Sequence, residues 1–205
     1  MSNVVIVDYG LCNLDSITRA VEECGGKAKI SDDPHDLRTA TQIILPGVGA
    51  FPDAWRNLGE RSLVEVMREQ VIGEGIPFLG ICLGMQLMAT HGHEGETSEG
   101  LGWIDGEVVR LEPRGDDRRI PHIGWNNIEL VRESPLFRGI SPDRDFYFVH
   151  SYHLVCRDEN QVVARTPYAG GFVSAVARDN IFGVQFHPEK SQKAGFQVLR
   201  NFLAV

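Results

Sequence analysis

FLGICLGMQ, residues 78–86, runs from an apolar strand pattern into helix formers and holds a cysteine, Cys82, between Gly80 and Gly84. A thiol in such a run reads either as a small core hydrophobe or as a nucleophile on a sharp strand-to-helix turn. The second reading needs a small residue two positions before and two positions after the nucleophile, because the backbone there leaves no room for a Cβ. G-x-C-x-G meets that need. A pattern this short also arises by chance, so the surrounding chain decides.

Upstream, apolar runs alternate with helical spacing. VVIVDYG (4–10) reads as a buried parallel strand. From Asn13 to Cys24, apolar residues at Leu14, Ile17, Val21 and Cys24 share one helix face, and Gly25-Gly26 ends it. KAKIS (27–31) and QIILPGV (42–48) read as strands, residues 54–72 as one helix, IPFLGIC (76–82) as a strand and LGMQLMAT (83–90) as the start of another helix. This order predicts an α/β fold: an open, mainly parallel, doubly wound sheet with helices on both faces and ligands at the carboxyl ends of its strands. Those ends carry Asp8-Tyr9-Gly10, Pro46–Gly49 and Cys82, which puts the thiol at a site edge. Downstream, short β runs at 106–111, 120–130, 146–156, 162–167 and 172–188 predict an antiparallel extension of the sheet, closed by a helix over 191–205. HGHE (91–94) and the charged EPRGDDRR (112–119) read as solvated loops.

With 42% apolar residues, 23% charged residues and a net charge of −8, the chain reads as one domain over 1–205 with no surface for nucleic acid or membrane. The N-terminus lacks a signal-peptide pattern, which sets a cytoplasmic expectation. The four cysteines show no C-x-x-C spacing, and neither a metal nor a cofactor is expected.

A cysteine nucleophile needs a base within reach and a group to orient that base. GVQFHPEKS (183–191) offers both: an apolar run delivers His187 at a strand end, and Pro188 gives an extended or turn geometry that can set Glu189 beside the imidazole. A surface turn is the other reading of H-P-E alone. PGVGAF (46–51), GICLGMQ (80–86), PHIGWN (121–126), YFVHSY (147–152) and FHPEKS (186–191) together resemble, in order and over essentially the whole chain, the class I glutamine amidotransferases. Among these the chain is most similar to the glutaminase subunits of imidazole glycerol phosphate synthases. DYGLCN (8–13) departs from that pattern, with Cys12 where glycine is frequent.

The resemblance implies release of ammonia from L-glutamine by Cys82, His187 and Glu189. Leu83, which follows the nucleophile, offers one backbone donor for the oxyanion. Val48 and Gly49 would supply a second, through a peptide that points away at rest and flips when a partner is active. Gln86, one helical turn past Cys82, can face the pocket and by resemblance would hold the glutamine backbone with Gly47, His150, Ser151 and Tyr152. Asn13, Trp125, Asn126 and Lys190 fall at the implied partner face. The implied partner is a (β/α)8-barrel cyclase that uses the ammonia to form imidazole glycerol phosphate. A synthase that aminates surface sugars is the alternative acceptor. A non-catalytic regulatory relative and a cysteine peptidase are the remaining readings.

Overall fold

The computed structural model describes residues 3–115, 119–142 and 144–205, so the loop expected over 112–119 lies partly outside the described residues. Strand β1 (Asn3–Val7), helix α1 (Leu14–Glu23) and strand β2 (Lys27–Ser31) form as their spacing requires. A short helix α2 (Pro34–Arg38), capped by the Asp33 carboxylate, precedes strand β3 (Gln42–Leu45).

The single helix expected over 54–72 is instead α3 (Phe51–Glu60), α4 (Leu63–Arg68) and a π-helical turn, Glu69–Gly73. Between α3 and α4, Ser62 adopts a left-handed φ of 56°. The break has a packing reason. Buried Leu58 and Leu63 are five positions apart, which an unbroken helix would rotate about 140° from one another. Resetting the phase at Ser62 turns both apolar faces onto the sheet.

Strand β4 (Phe78–Ile81) leads through Cys82 into the four-residue helix α5 (Leu83–Gln86). HGHE is not a loop but strand β5 (His91–Glu94), antiparallel to β6 (Glu96–Glu99) and parallel to β7 (Gly106–Arg110). Gly92 lies flat on Phe51, where a Cβ would come within 2.5 Å of the ring. The Glu94 carboxylate accepts from the Phe51 N–H at 2.8 Å, satisfying an open donor at the start of α3.

The second half contributes β8 (His122–Asn127), β9 (Glu129–Leu130), β10 (Asp145–His150), β11 (Tyr152–Cys156), β12 (Val162–Thr166), β13 (Phe172–Arg178), β14 (Ile181–Val184) and helix α6 (Gln192–Leu203). Among the described residues the main sheet has eight strands, in the order β2-β1-β3-β4-β14-β13-β12-β9. Its first five are parallel and its last three antiparallel. The expected antiparallel extension is therefore present, but only in part. β14 joins the parallel section beside β4, β8 and β10 form their own ribbon, and β11, β7, β5 and β6 form a separate sheet. Alternate residues of β1 serve opposite cores: Val5 and Val7 pack with the α3–α4 side, Val4 and Ile6 with α1 and α6. Among the described residues no helix is long and apolar enough to cross a membrane.

Candidate active site

β4 and β14 lie side by side and in register, so their carboxyl ends deliver Cys82 and the Gln185–His187 segment to one place. Cys82 sits at φ 53°, ψ −107°, a conformation costly for any residue with a side chain. Its N–H donates to the Val184 carbonyl at 2.8 Å, which ties the turn to β14. The flanking glycines are required sterically. A Cβ on Gly80 would meet the Gly84 carbonyl oxygen at 2.7 Å, and one on Gly84 would meet that of Leu45 at 1.8 Å. The thiol is buried, packed on one side against the core shared with Ile81 and Val184, and also borders a cavity.

His187 is anchored through its N–H to the Tyr147 carbonyl at 2.9 Å, and its own carbonyl accepts from the Ser191 hydroxyl at 2.7 Å. Its Nδ1 bonds Glu189 Oε1 at 2.8 Å, with both side chains almost fully buried. Its Nε2 makes no hydrogen bond of ordinary geometry, and the Cys82 sulfur is near enough to act on the imidazole through its charge. Burial opposes the imidazolium, but Cys82 and Glu189 outweigh it and raise the pKa to about 10.

A cavity of about 280 Å3 opens in front of the sulfur, lined by Val48, Gly49, Leu83, Gln86, His150, Ser151 and Tyr152 among others. The Gln86 amide donates to the Tyr152 carbonyl at 2.8 Å and to Gln185 Oε1 at 3.1 Å. Among the described residues no group of three or more His, Cys, Asp or Glu could hold a metal ion.

The chain that carries this strained thiol and buried imidazole–carboxylate pair has relatives. The family model "Glutamine amidotransferase class-I" matches residues 5–205. The chain belongs to the class I glutamine amidotransferases. It is 46% identical to imidazole glycerol phosphate synthase subunit HisH 1 of Campylobacter jejuni, over 97% of this chain and 98% of that protein. It is 47% identical to the HisH subunit of Moorella thermoacetica, over 98% of this chain and 94% of that protein. Within the family it therefore belongs to the HisH glutaminase subunits of imidazole glycerol phosphate synthase. In fold it is similar to a solved glutamine amidotransferase, with TM-score 0.73 at 20% identity over 98% of this chain and 97% of that one. It is similar in the same way to PurLQS from Thermotoga maritima, with TM-score 0.72 at 19% identity over 100% and 99% of the two chains.

The remaining residues singled out in the sequence separate into two groups. Gly47 lies behind the cavity wall, where a Cβ would fall 1.9 Å from the Tyr9 hydroxyl and 3.0 Å from Leu83 Cβ. The Val48 N–H donates to the Leu11 carbonyl at 2.8 Å, and Gly49 has φ +112°. Away from the cavity, Trp125 is exposed and meets Tyr147 edge-on, while Lys190 Nζ lies 5.9 Å from the centre of the same ring. Asn13 stands just before α1 and makes no capping bond there. Asn126, next to Trp125, faces the other way: its amide reaches inward to His122 Nε2 at 3.4 Å.

Gln185 was missed. It is fully buried and its Nε2 donates to Cys82 Sγ at 3.6 Å, while its Oε1 accepts from Gln86. The signal lay in GVQF, where one amide interrupts a buried apolar run and so needs partners.

Proposed function

We propose that Cys82, His187 and Glu189 hydrolyse L-glutamine to glutamate and ammonia, and that the ammonia passes to a cyclase subunit of the (β/α)8-barrel type. The observation that carries this reading is the His187–Glu189 pair, held at 2.8 Å and buried behind a thiol on a strained turn. The Cys82 thiolate attacks the side-chain amide carbon, and the carbonyl π electrons move onto oxygen. His187, as imidazolium, gives its Nε2 proton to the departing nitrogen, leaving ammonia and a γ-glutamyl thioester. Water then attacks the thioester with His187 as base, releasing glutamate and restoring the thiolate–imidazolium pair. Glu189 accepts from Nδ1–H throughout and keeps Nε2 aimed at the sulfur.

The Leu83 N–H is the first donor to the oxyanion. The second is the Val48 N–H, which at rest is engaged by the Leu11 carbonyl and reaches the site only when its peptide turns over. Gln86, His150, Ser151 and Tyr152 hold the α-amino and carboxylate end of glutamine, whereas Gly47, expected among them, stands behind the wall and leaves Tyr9 and Leu83 the space they occupy there. Both N–H bonds of the Gln86 amide are committed to the protein, so its Oε1 serves as acceptor toward the ammonium. Trp125, Lys190, Asn13 and the strand carrying Asn126 meet the cyclase. Four free cysteines suit a reducing, cytoplasmic setting.

The test is formation of imidazole glycerol phosphate by the chain and the cyclase of its own genome, supplied with either glutamine or an ammonium salt. Cys82→Ala should abolish the glutamine-dependent reaction and leave the ammonium-dependent one intact. Glutamine hydrolysis without cyclisation would move the acceptor to a sugar-amidating synthase.

A further inference from the structure

Behind the cavity, two buried imidazoles stand directly opposite one another at the end of the β8–β10 ribbon, His122 across from His150. His122 Nδ1 and His150 Nε2 are 3.2 Å apart, and His150 Nδ1 lies 2.9 Å from the Tyr152 carbonyl. A carbonyl can only accept, so His150 carries its proton on Nδ1. Its Nε2, when the ring is neutral, is then an acceptor, and His122 must donate from Nδ1. The other end leads independently to the same assignment. The Asn127 N–H donates to Asn126 Oδ1 at 3.0 Å, so the side-chain NH2 of Asn126 is what faces His122 Nε2 at 3.4 Å. That nitrogen must accept, which again leaves the His122 proton on Nδ1. Stacking of His122 on Tyr168 and Phe148, with centroids at 3.9 and 5.0 Å, fixes the ring plane.

We propose that this one-way relay, from Asn126 through His122 and His150 to the Tyr152 carbonyl, makes His122 a positioning residue for glutamine binding. The Tyr152 carbonyl is shared with the Gln86 amide at 2.8 Å, so the relay sets both the 150–152 segment and Gln86. It also begins on a strand with two faces. His122 and Asn126 point inward, whereas Ile123 and Trp125 are exposed on the opposite face. A partner pressing on that outer face moves the relay with the strand, and through it the pocket. The proposal rests on the reading of the cavity as the glutamine site.

Nitrogen-15 NMR of histidine-labelled wild-type chain reads the relay without any substitution. Near neutral pH both rings should be neutral with the proton on Nδ1, the less favoured tautomer of free imidazole. An Nε2–H tautomer or an imidazolium at either ring overturns the relay. In the complex with the cyclase, His122→Phe should raise the KM for glutamine about tenfold with kcat nearly unchanged. His122→Asn, which can place an N–H donor near the position of Nδ1, should recover much of that loss. An unchanged KM in His122→Phe, or a fall in kcat at constant KM, overturns the positioning role. Failure of the underlying reading looks different: wild-type complex would release no glutamate, and the role of His122 would fall with it, whereas failure of the relay leaves wild-type turnover intact.

Discussion

At the level of single side chains, the proposed chemistry depends on Cys82 and on the buried amide of Gln185 that touches it. The sulfur is held by backbone geometry that only its neighbouring glycines allow, and Gln185 Nε2 donates to it at 3.6 Å. Hydrogen bonds to a charged group are roughly twice as strong as neutral ones, so this contact matters most when the sulfur is a thiolate. Gln185→Leu should lower kcat for glutamine hydrolysis by about 10- to 100-fold while the chain stays folded, measured as glutamate release beside a thermal melt. Wild-type kcat in the variant would remove Gln185 from the account. The elbow was legible because both glycines have steric duties visible in a one-letter pattern. The Gln185 contact was not, since no local rule states which partner a lone buried amide finds across the sheet.

Among the elements, the β8–β10 ribbon has a measurable cost in acid. Burial, reinforced by the nearby His122, His153 and His187 and opposed by the Tyr152 carbonyl, lowers the pKa of His150 to about 3. An unfolded chain titrates this group near its ordinary value of about 6.5, so between pH 6.5 and 3 the unfolded state binds more protons. The stability tied to neutral His150 is therefore complete above pH 6.5 and is lost as pH falls toward 3, at up to ~1.4 kcal/mol per pH unit. Urea unfolding of wild type and His150→Phe across this window should show the shallower pH dependence in the variant. Parallel curves would mean that His150 titrates normally in the fold. Element types were readable from periodicity, including β1, α1, β4 and α6. Errors came where a tertiary contact reused a residue that signals solvent. Gly92 and Glu94 looked like loop composition, but one meets the Phe51 ring and the other closes the start of α3. The break at Ser62 likewise follows from fitting two buried faces to one sheet, which a count of helix formers does not contain.

For the molecule as a whole, the parallel section of the sheet brings the ends of β3, β4 and β14 together, and with them the Gly47–Val48 peptide, Cys82 and His187. The order of the five motifs already implied that convergence. Their division between cavity and surface was not readable, because Trp125 and Asn126 are adjacent in sequence and face opposite sides of one strand. In the proposed mechanism the triad is assembled at rest and the second oxyanion donor, the Val48 N–H, is turned away, held by the Leu11 carbonyl at 2.8 Å. The most direct test is the rate of glutamate release by the purified chain alone, with its cyclase, and with the cyclase bound to its nucleotide substrate, using Cys82→Ala as the control. Slow release alone, a rise of 10-fold or more with the liganded cyclase, and none at any stage from Cys82→Ala are the predicted results. Equal rates in all three states would contradict a gated oxyanion site, and undiminished release by Cys82→Ala would contradict the assignment of the nucleophile.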